Sequence, residues 1–114
     1  MLKNTENIAD LPKIVPIFPL SEVILIPKGQ IKLNIFENRY VNMTEDCLAS
    51  DRILGMIQPI KENKLYEVGC IGKIIHFIEV EQNKFFIELK GICRYKLINH
   101  SITKRKYRMA EVNY

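Results

Sequence analysis

The chain has 114 residues, 47% of them apolar and 26% charged, with a formal net charge of +4. That length suits one domain with one core, not two, and the composition is that of a soluble globular protein. Its apolar runs, such as 23–26 and 74–75, are strand-length and far short of the ~20 residues that span a bilayer, and the polar start Met1-Leu2-Lys3-Asn4-Thr5-Glu6-Asn7 has no apolar signal core. No membrane association is expected, and a cytoplasmic location is.

Residues 1–10 are polar and read as a flexible N-terminal segment. From Ile14 the chain reads as strands. Pro16 and Pro19 lack the amide that a ladder needs, so this first strand is expected at an edge or a bend. Residues 23–26 are apolar throughout and suit a buried strand. Pro27-Lys28-Gly29 follows as a turn, with Gly29 expected to take any positive φ. Residues 31–35 alternate as a half-buried strand. A helix is expected from Glu37 or Asn38 to Ala49, because Tyr40, Met43, Cys47 and Leu48 share one apolar face. Glu37 suits the positive end of its dipole.

Residues 53–57 read as the next strand, closed by Pro59, and 61–64 as a polar loop. Residues 70–80 have strong β propensity. Glu81-Gln82-Asn83-Lys84 makes a turn with Asn83 in the left-handed region. Phe85, Ile87 and Leu89, then Cys93, Tyr95 and Leu97, alternate with Phe86, Glu88, Lys90, Arg94 and Lys96. Short strands with a single helix predict a mainly β, α+β fold whose sheet closes or nearly closes.

Several of these blocks, in order, carry a family resemblance. They are Pro16-Ile17-Phe18-Pro19-Leu20, Val23-Ile24-Leu25-Ile26-Pro27-Lys28-Gly29, Asn34-Ile35-Phe36-Glu37-Asn38-Arg39-Tyr40 and Leu65-Tyr66-Glu67-Val68-Gly69-Cys70-Ile71-Gly72-Lys73-Ile74. Over 11–97 the chain resembles the amino-terminal, substrate-binding domain of Lon-type ATP-dependent proteases, and the solo proteins that carry it alone. The resemblance implies a PUA-like β-barrel over 11–114. It also implies a non-catalytic module that engages unfolded or degradation-tagged polypeptides, working with a Lon-type protease or by self-association. That family's domain continues into a helical subdomain, whereas this sequence stops at Ala110-Glu111-Val112-Asn113-Tyr114, a strand-like segment.

Phe36, Glu37, Arg39 and Tyr40 form the structural motif of the resemblance. The two rings read as core anchors, and the charged pair as ordering the strand-to-helix corner in preference to contacting a ligand. Tyr66 and Phe86 are the candidate substrate contacts. Lys104, Arg105, Lys106 and Arg108 equal the whole charge excess, 17 − 13 = 4. They carry the alternative function, a PUA-type RNA-binding module. With Tyr107 as the one interleaved ring, a solvated turn or strand is favoured over nucleic-acid binding.

No residue set suggests catalysis. Ser21, Ser50 and Ser101 lack a nucleophile-elbow context. The glycines of Gly69-Cys70-Ile71-Gly72-Lys73 are too close together for a phosphate loop and suit a strand approached closely by another backbone. Cys47, Cys70 and Cys93 are odd in number and read as free thiols; with only His76 and His100 besides, and no paired-cysteine motif, neither metal nor cofactor is expected.

Overall fold

The computed structural model describes residues 8–81 and 83–114. Of the segment 1–10, residues 1–7 lie outside the described residues, and Ile8–Asp10 form one 3-10 turn. Then come β1 (Ile14–Pro19), β2 (Gln30–Ile35), α1 (Asn38–Leu48), β3 (Ile53–Ile57), β4 (Pro59–Lys61), β5 (Lys64–Leu65), β6 (Val68–Glu81), β7 (Lys84–Ile102) and β8 (Arg108–Asn113). The two alternating runs after Asn83 are therefore one strand of 19 residues. Asn83 takes φ 62, as its place in the turn predicts, while Gln82 lies outside the described residues. The polar loop at 61–64 is the turn of a small hairpin, β4 against β5, with Asn63 at φ 62.

The sheet closes. β7 pairs with β6 from Lys84 to Lys96 and with β8 from Lys96 to Ile102; β8 pairs with β1, β1 runs parallel to β3, and β3 pairs with β6. The result is a ring of strands with β2 added outside it along the first half of β7. A bulge allows one strand to serve both units: Ile71 is opposite Cys93 but Gly72 is opposite Gly91, so Ile92 is the extra residue. Such an insertion bends and twists a strand locally.

β1 is not an edge strand. It pairs with β8 over residues 14–17 and with β3 over residues 17–19. The Lys13 carbonyl accepts from the Val112 amide, so odd residues face β8; the Leu20 amide reaches the Ile57 carbonyl, so even residues face β3. Pro16 therefore faces β3 before that pairing begins, and Pro19 faces β8 after that pairing ends. Each missing amide falls where no partner waits.

Two cores lie on either side of the ring wall. Val15, Ile17, Ile53, Ile71, Tyr95 and Val112 fill the interior. Phe18, Ile35, Met43, Leu54, Ile74 and Ile87 pack the other face under α1. All five residues of β3 are buried because Ile53 and Ile57 enter one core and Leu54 and Met56 the other. Tyr95 crosses the interior and donates to the Met56 carbonyl at 3.1 Å. Glycines make its slot: a Cβ on Gly55 would sit 2.8 Å from the Tyr95 hydroxyl, and one on Gly69 would collide with the ring and the Met56 carbonyl. The close-approach reading of Gly69 thus holds.

The expected strand at 23–26 is absent. That segment is irregular, with Leu25 buried but Ile24 and Ile26 exposed. Lys28, not Gly29, takes the left-handed conformation, at φ 67 in the turn closed by the Gly29 amide on the Ile26 carbonyl at 2.9 Å. The turn docks on the bulge: the Lys28 amide donates to the Gly91 carbonyl, and the Gly91 amide to the Gly29 carbonyl, at 2.9 and 2.8 Å. There the Ile26 carbonyl occupies the space that a Cβ on Gly91 would need.

At the strand-to-helix corner, Glu37 is the helix N-cap but makes no side-chain cap bond. Tyr40 is buried and stacks on Phe18 with centroids 4.2 Å apart, as an anchor should. Phe36 is not an anchor. It lies between β2 and α1, where the alternation that buries Leu33 and Ile35 has ended, and it is 66% exposed. Arg39 touches Glu37 at 3.8 Å with both side chains half exposed, and its guanidinium lies 4.7 Å from the Tyr40 ring centre. The corner is held by apolar packing, with the ion pair outside it.

Two stability outcomes follow from these contacts. Gly91→Ala should cost more than about 2 kcal/mol in urea unfolding, because its Cβ would fall on the Ile26 carbonyl and backbone must move, whereas Gly29→Ala, whose Cβ would meet Ile26 Cγ1 at 2.9 Å and the Ile26 carbonyl at 3.1 Å, needs a smaller adjustment and should cost less. Equal midpoint shifts would show that the docking on Gly91 does not constrain the bulge. Arg39→Ala should shift stability by less than about 1 kcal/mol, since an exposed ion pair contributes little; a larger loss would mean that the corner depends on the charge.

Candidate functional site

A groove of about 740 Å³ lies between the irregular segment, the end of β3, the β4–β5 hairpin and the start of β6. Ile24, Ile26, Ile60, Tyr66 and Val68 wall it and are exposed large apolar side chains. Its polar groups stand among them, including Gln58, Lys64, Glu67 and Arg94. Apolar walls exposed this way are what a partner, not the core, would cover. The backbone matters too. Among the described residues, Val23, Ile24 and Leu25 take part in no backbone hydrogen bond. An extended segment laid beside them would find unpaired amides and carbonyls.

A second cleft, of about 560 Å³, shares Ile60 and Leu65 of the hairpin with the groove. Arg39, Lys61, Lys106 and Arg108 line it, with Glu62 as the one carboxylate.

The structure separates the candidate substrate contacts. Tyr66 is 52% exposed on the groove wall. Phe86 is half-buried on the first half of β7, opposite Asn34 and Ile78 and outside the groove lining. The groove's other apolar residues escaped sequence reasoning because the run 23–26 carries no polar alternation to show which side chains face outward.

The basic run 104–108 forms the turn from β7 to β8, and its charges diverge. Arg105 binds the Glu45 and Asp46 carboxylates at 2.8 and 3.3 Å and accepts the Asn42 side-chain amide on its carbonyl, clamping the turn to α1. Arg108 donates to Asn63 Oδ1 at 2.9 Å and lies 3.2 Å from His100 Nδ1. Because arginine only donates, that ring nitrogen accepts, and burial beside the Arg108 charge lowers the His100 pKa. Tyr107 is buried, and its hydroxyl donates to Asp46 at 2.7 Å. It therefore offers no face for base stacking.

Burial pushes the Cys47 thiol up to about 12 and the Cys70 thiol up to about 11, so both are protonated at neutral pH and poor nucleophiles. All three cysteines are free. No group of His, Cys, Asp or Glu among the described residues is arranged to hold a metal ion. No helix among them is long and apolar enough to cross a membrane.

Comparison with known proteins agrees with this architecture. The Lon N-terminal domain protein of Xanthomonas campestris superposes with a TM-score of 0.74 over 88% of this chain and 58% of its own, at 24% identity. The N-terminal domain of the Mycobacterium avium complex Lon protease gives 0.73 over 89% and 54%, at 16% identity. Both likenesses concern the fold. In sequence, the Lon protease of Dictyoglomus thermophilum is 25% identical over 95 residues, which is 78% of this chain and 12% of that protein. Lon protease 2 of Sorangium cellulosum is 29% identical over 91 residues, covering 73% and 11%. The chain thus spans about an eighth of the length of the proteases it matches. The family described as the ATP-dependent protease La (LON) substrate-binding domain matches residues 14–114, and with a strand ring of the same fold this chain belongs to that family.

Proposed function

We propose that this domain is a non-catalytic recognition module that captures unfolded or degradation-tagged polypeptides for a Lon-type protease. The observation that carries the reading is the groove, where exposed apolar walls stand beside the unpaired backbone of residues 23–25. A client's apolar side chains would leave water there while its backbone adds to the free segment. Native proteins hide both features, which gives selectivity for unfolded chains. One small contact of this kind binds weakly, on the order of tens of micromolar or poorer, because ordering the client opposes association. Tight capture then needs several domains acting together, through self-association or a protease partner.

RNA binding is the weaker alternative. Of the four cations behind it, Arg105 is neutralised on α1, and Tyr107, the one ring among them, is buried. Catalysis has no support in the side-chain chemistry, and the pure domain is expected to turn over neither ATP nor casein. Turnover abolished by a substitution in this chain would defeat the non-enzymatic reading.

The groove is tested by titrating a labelled, permanently unfolded polypeptide and following backbone amide resonances. Shifts should concentrate at residues 23–26, 60 and 66–69, and the native form of the same polypeptide should cause none. Ile24→Ser with Ile26→Ser should weaken binding by about 5- to 30-fold, the equivalent of ~1–2 kcal/mol of lost apolar burial. Both side chains are exposed, so the melting midpoint should hold. Shifts clustered elsewhere, or unchanged affinity in the double variant, would remove the groove from consideration.

A further inference from the structure

We propose that the cationic cleft adjoining the groove takes acidic residues of the same client, so that the preferred segment is apolar with an acidic flank. The inference rests on the groove reading and specifies the client chemistry. Its basis is the shared wall: Ile60 and Leu65 line both concavities, so a chain leaving the groove over the β4–β5 hairpin meets the cleft next.

The cleft gathers four cations from three parts of the chain, Arg39, Lys61, and Lys106 with Arg108, against one lining carboxylate, Glu62. Among the described residues, no carboxylate lies within 4 Å of Lys61, Lys106 or Arg108, and Arg39 meets Glu37 only at 3.8 Å. Like charges facing one concavity repel, and an incoming carboxylate relieves that repulsion. Part of the site is preorganised. Asn63 and His100 fix the Arg108 guanidinium, and the Lys106 amide donates to the Thr103 carbonyl at 3.1 Å. A polypeptide fits better than a nucleic acid. The two rings lining the cleft, Tyr40 and Tyr107, are buried and cannot stack on bases, and the adjoining groove is apolar.

The test uses three labelled peptides with one common apolar segment and a Gly-Ser, a Glu-rich or a Lys-rich flank. Anisotropy is read at low and at physiological ionic strength. The Glu-flanked peptide should bind about 5-fold more tightly than the Gly-Ser peptide at low salt, and the Lys-flanked one more weakly; the differences should shrink as salt rises. Lys61→Ser with Lys106→Ser should abolish the Glu preference and leave Gly-Ser affinity unchanged. Equal binding of the Glu and Gly-Ser peptides, or a preference that survives in the double variant, would overturn the cleft assignment and leave the groove standing. Gly-Ser binding indifferent to Ile24→Ser with Ile26→Ser would instead overturn the groove reading, while a Glu preference that still needs Lys61 and Lys106 upholds the cleft. A short uridylate oligomer that displaces the Glu-flanked peptide and binds more tightly would overturn the choice of polypeptide as the ligand.

Discussion

The bend in β7 at its bulge is the constraint on which the architecture depends. Before Gly91 the strand lies between β2 and the outer half of β6; after Cys93 it turns to meet β8 and so closes the ring. A second extra residue in β7, Ile98, falls within its pairing with β8. The bulge at Ile92 also leaves Gly91 open to the turn at 28–29, whose two backbone bonds hold the chain across the sheet. With no Cβ at Gly91, the Ile26 carbonyl approaches closely, which places Ile24 and Ile26 on the rim of the groove. The feature that closes the fold therefore also shapes its candidate binding surface.

β3 connects stability to that surface. Because its two faces belong to different cores, neither side is free to shift. Met56 packs in the core beneath α1, lends its carbonyl to Tyr95 and also lines the groove. A groove floor tied to both cores is rigid, whereas the segment at 23–26 has no ladder. Under the proposed function that asymmetry would serve recognition of varied clients: the floor would set depth, and the unpaired rim would offer hydrogen bonds that do not depend on side chains.

The legible parts of the sequence were those fixed by local periodicity. The helix from Asn38 to Leu48, the strand at Ile53–Ile57 and the turn at Asn83 follow from patterns within a few residues. What escaped notice depended on distant partners. The run Val23-Ile24-Leu25-Ile26 has strand propensity, but its neighbourhood on β7 is taken by the docked turn, so it remains irregular. Pro16 and Pro19 forbade an ordinary central strand, and only the offset of two partners let β1 sit between them. Phe36 shows the reverse error: a large ring beside a motif suggests an anchor, yet the core position belongs to Tyr40, which reaches Phe18. The exposed groove could not be read from apolar residues alone, since nothing local distinguishes an apolar side chain that the fold covers from one it leaves bare.

Charge was the least legible property, for a geometric reason. Lys104, Arg105, Lys106 and Arg108 are close in sequence, but a tight turn points neighbouring side chains in different directions. Arg105 thus reaches the acidic end of α1, and Arg108 reaches the hairpin at Asn63. Folding then assembles a different cationic group, bringing Arg39 from the helix start and Lys61 from β4 to Lys106 and Arg108. A short basic run does not itself make a basic patch. The local field depends on which cations folding brings together, and in this domain four from three parts of the chain line the cleft beside an apolar groove.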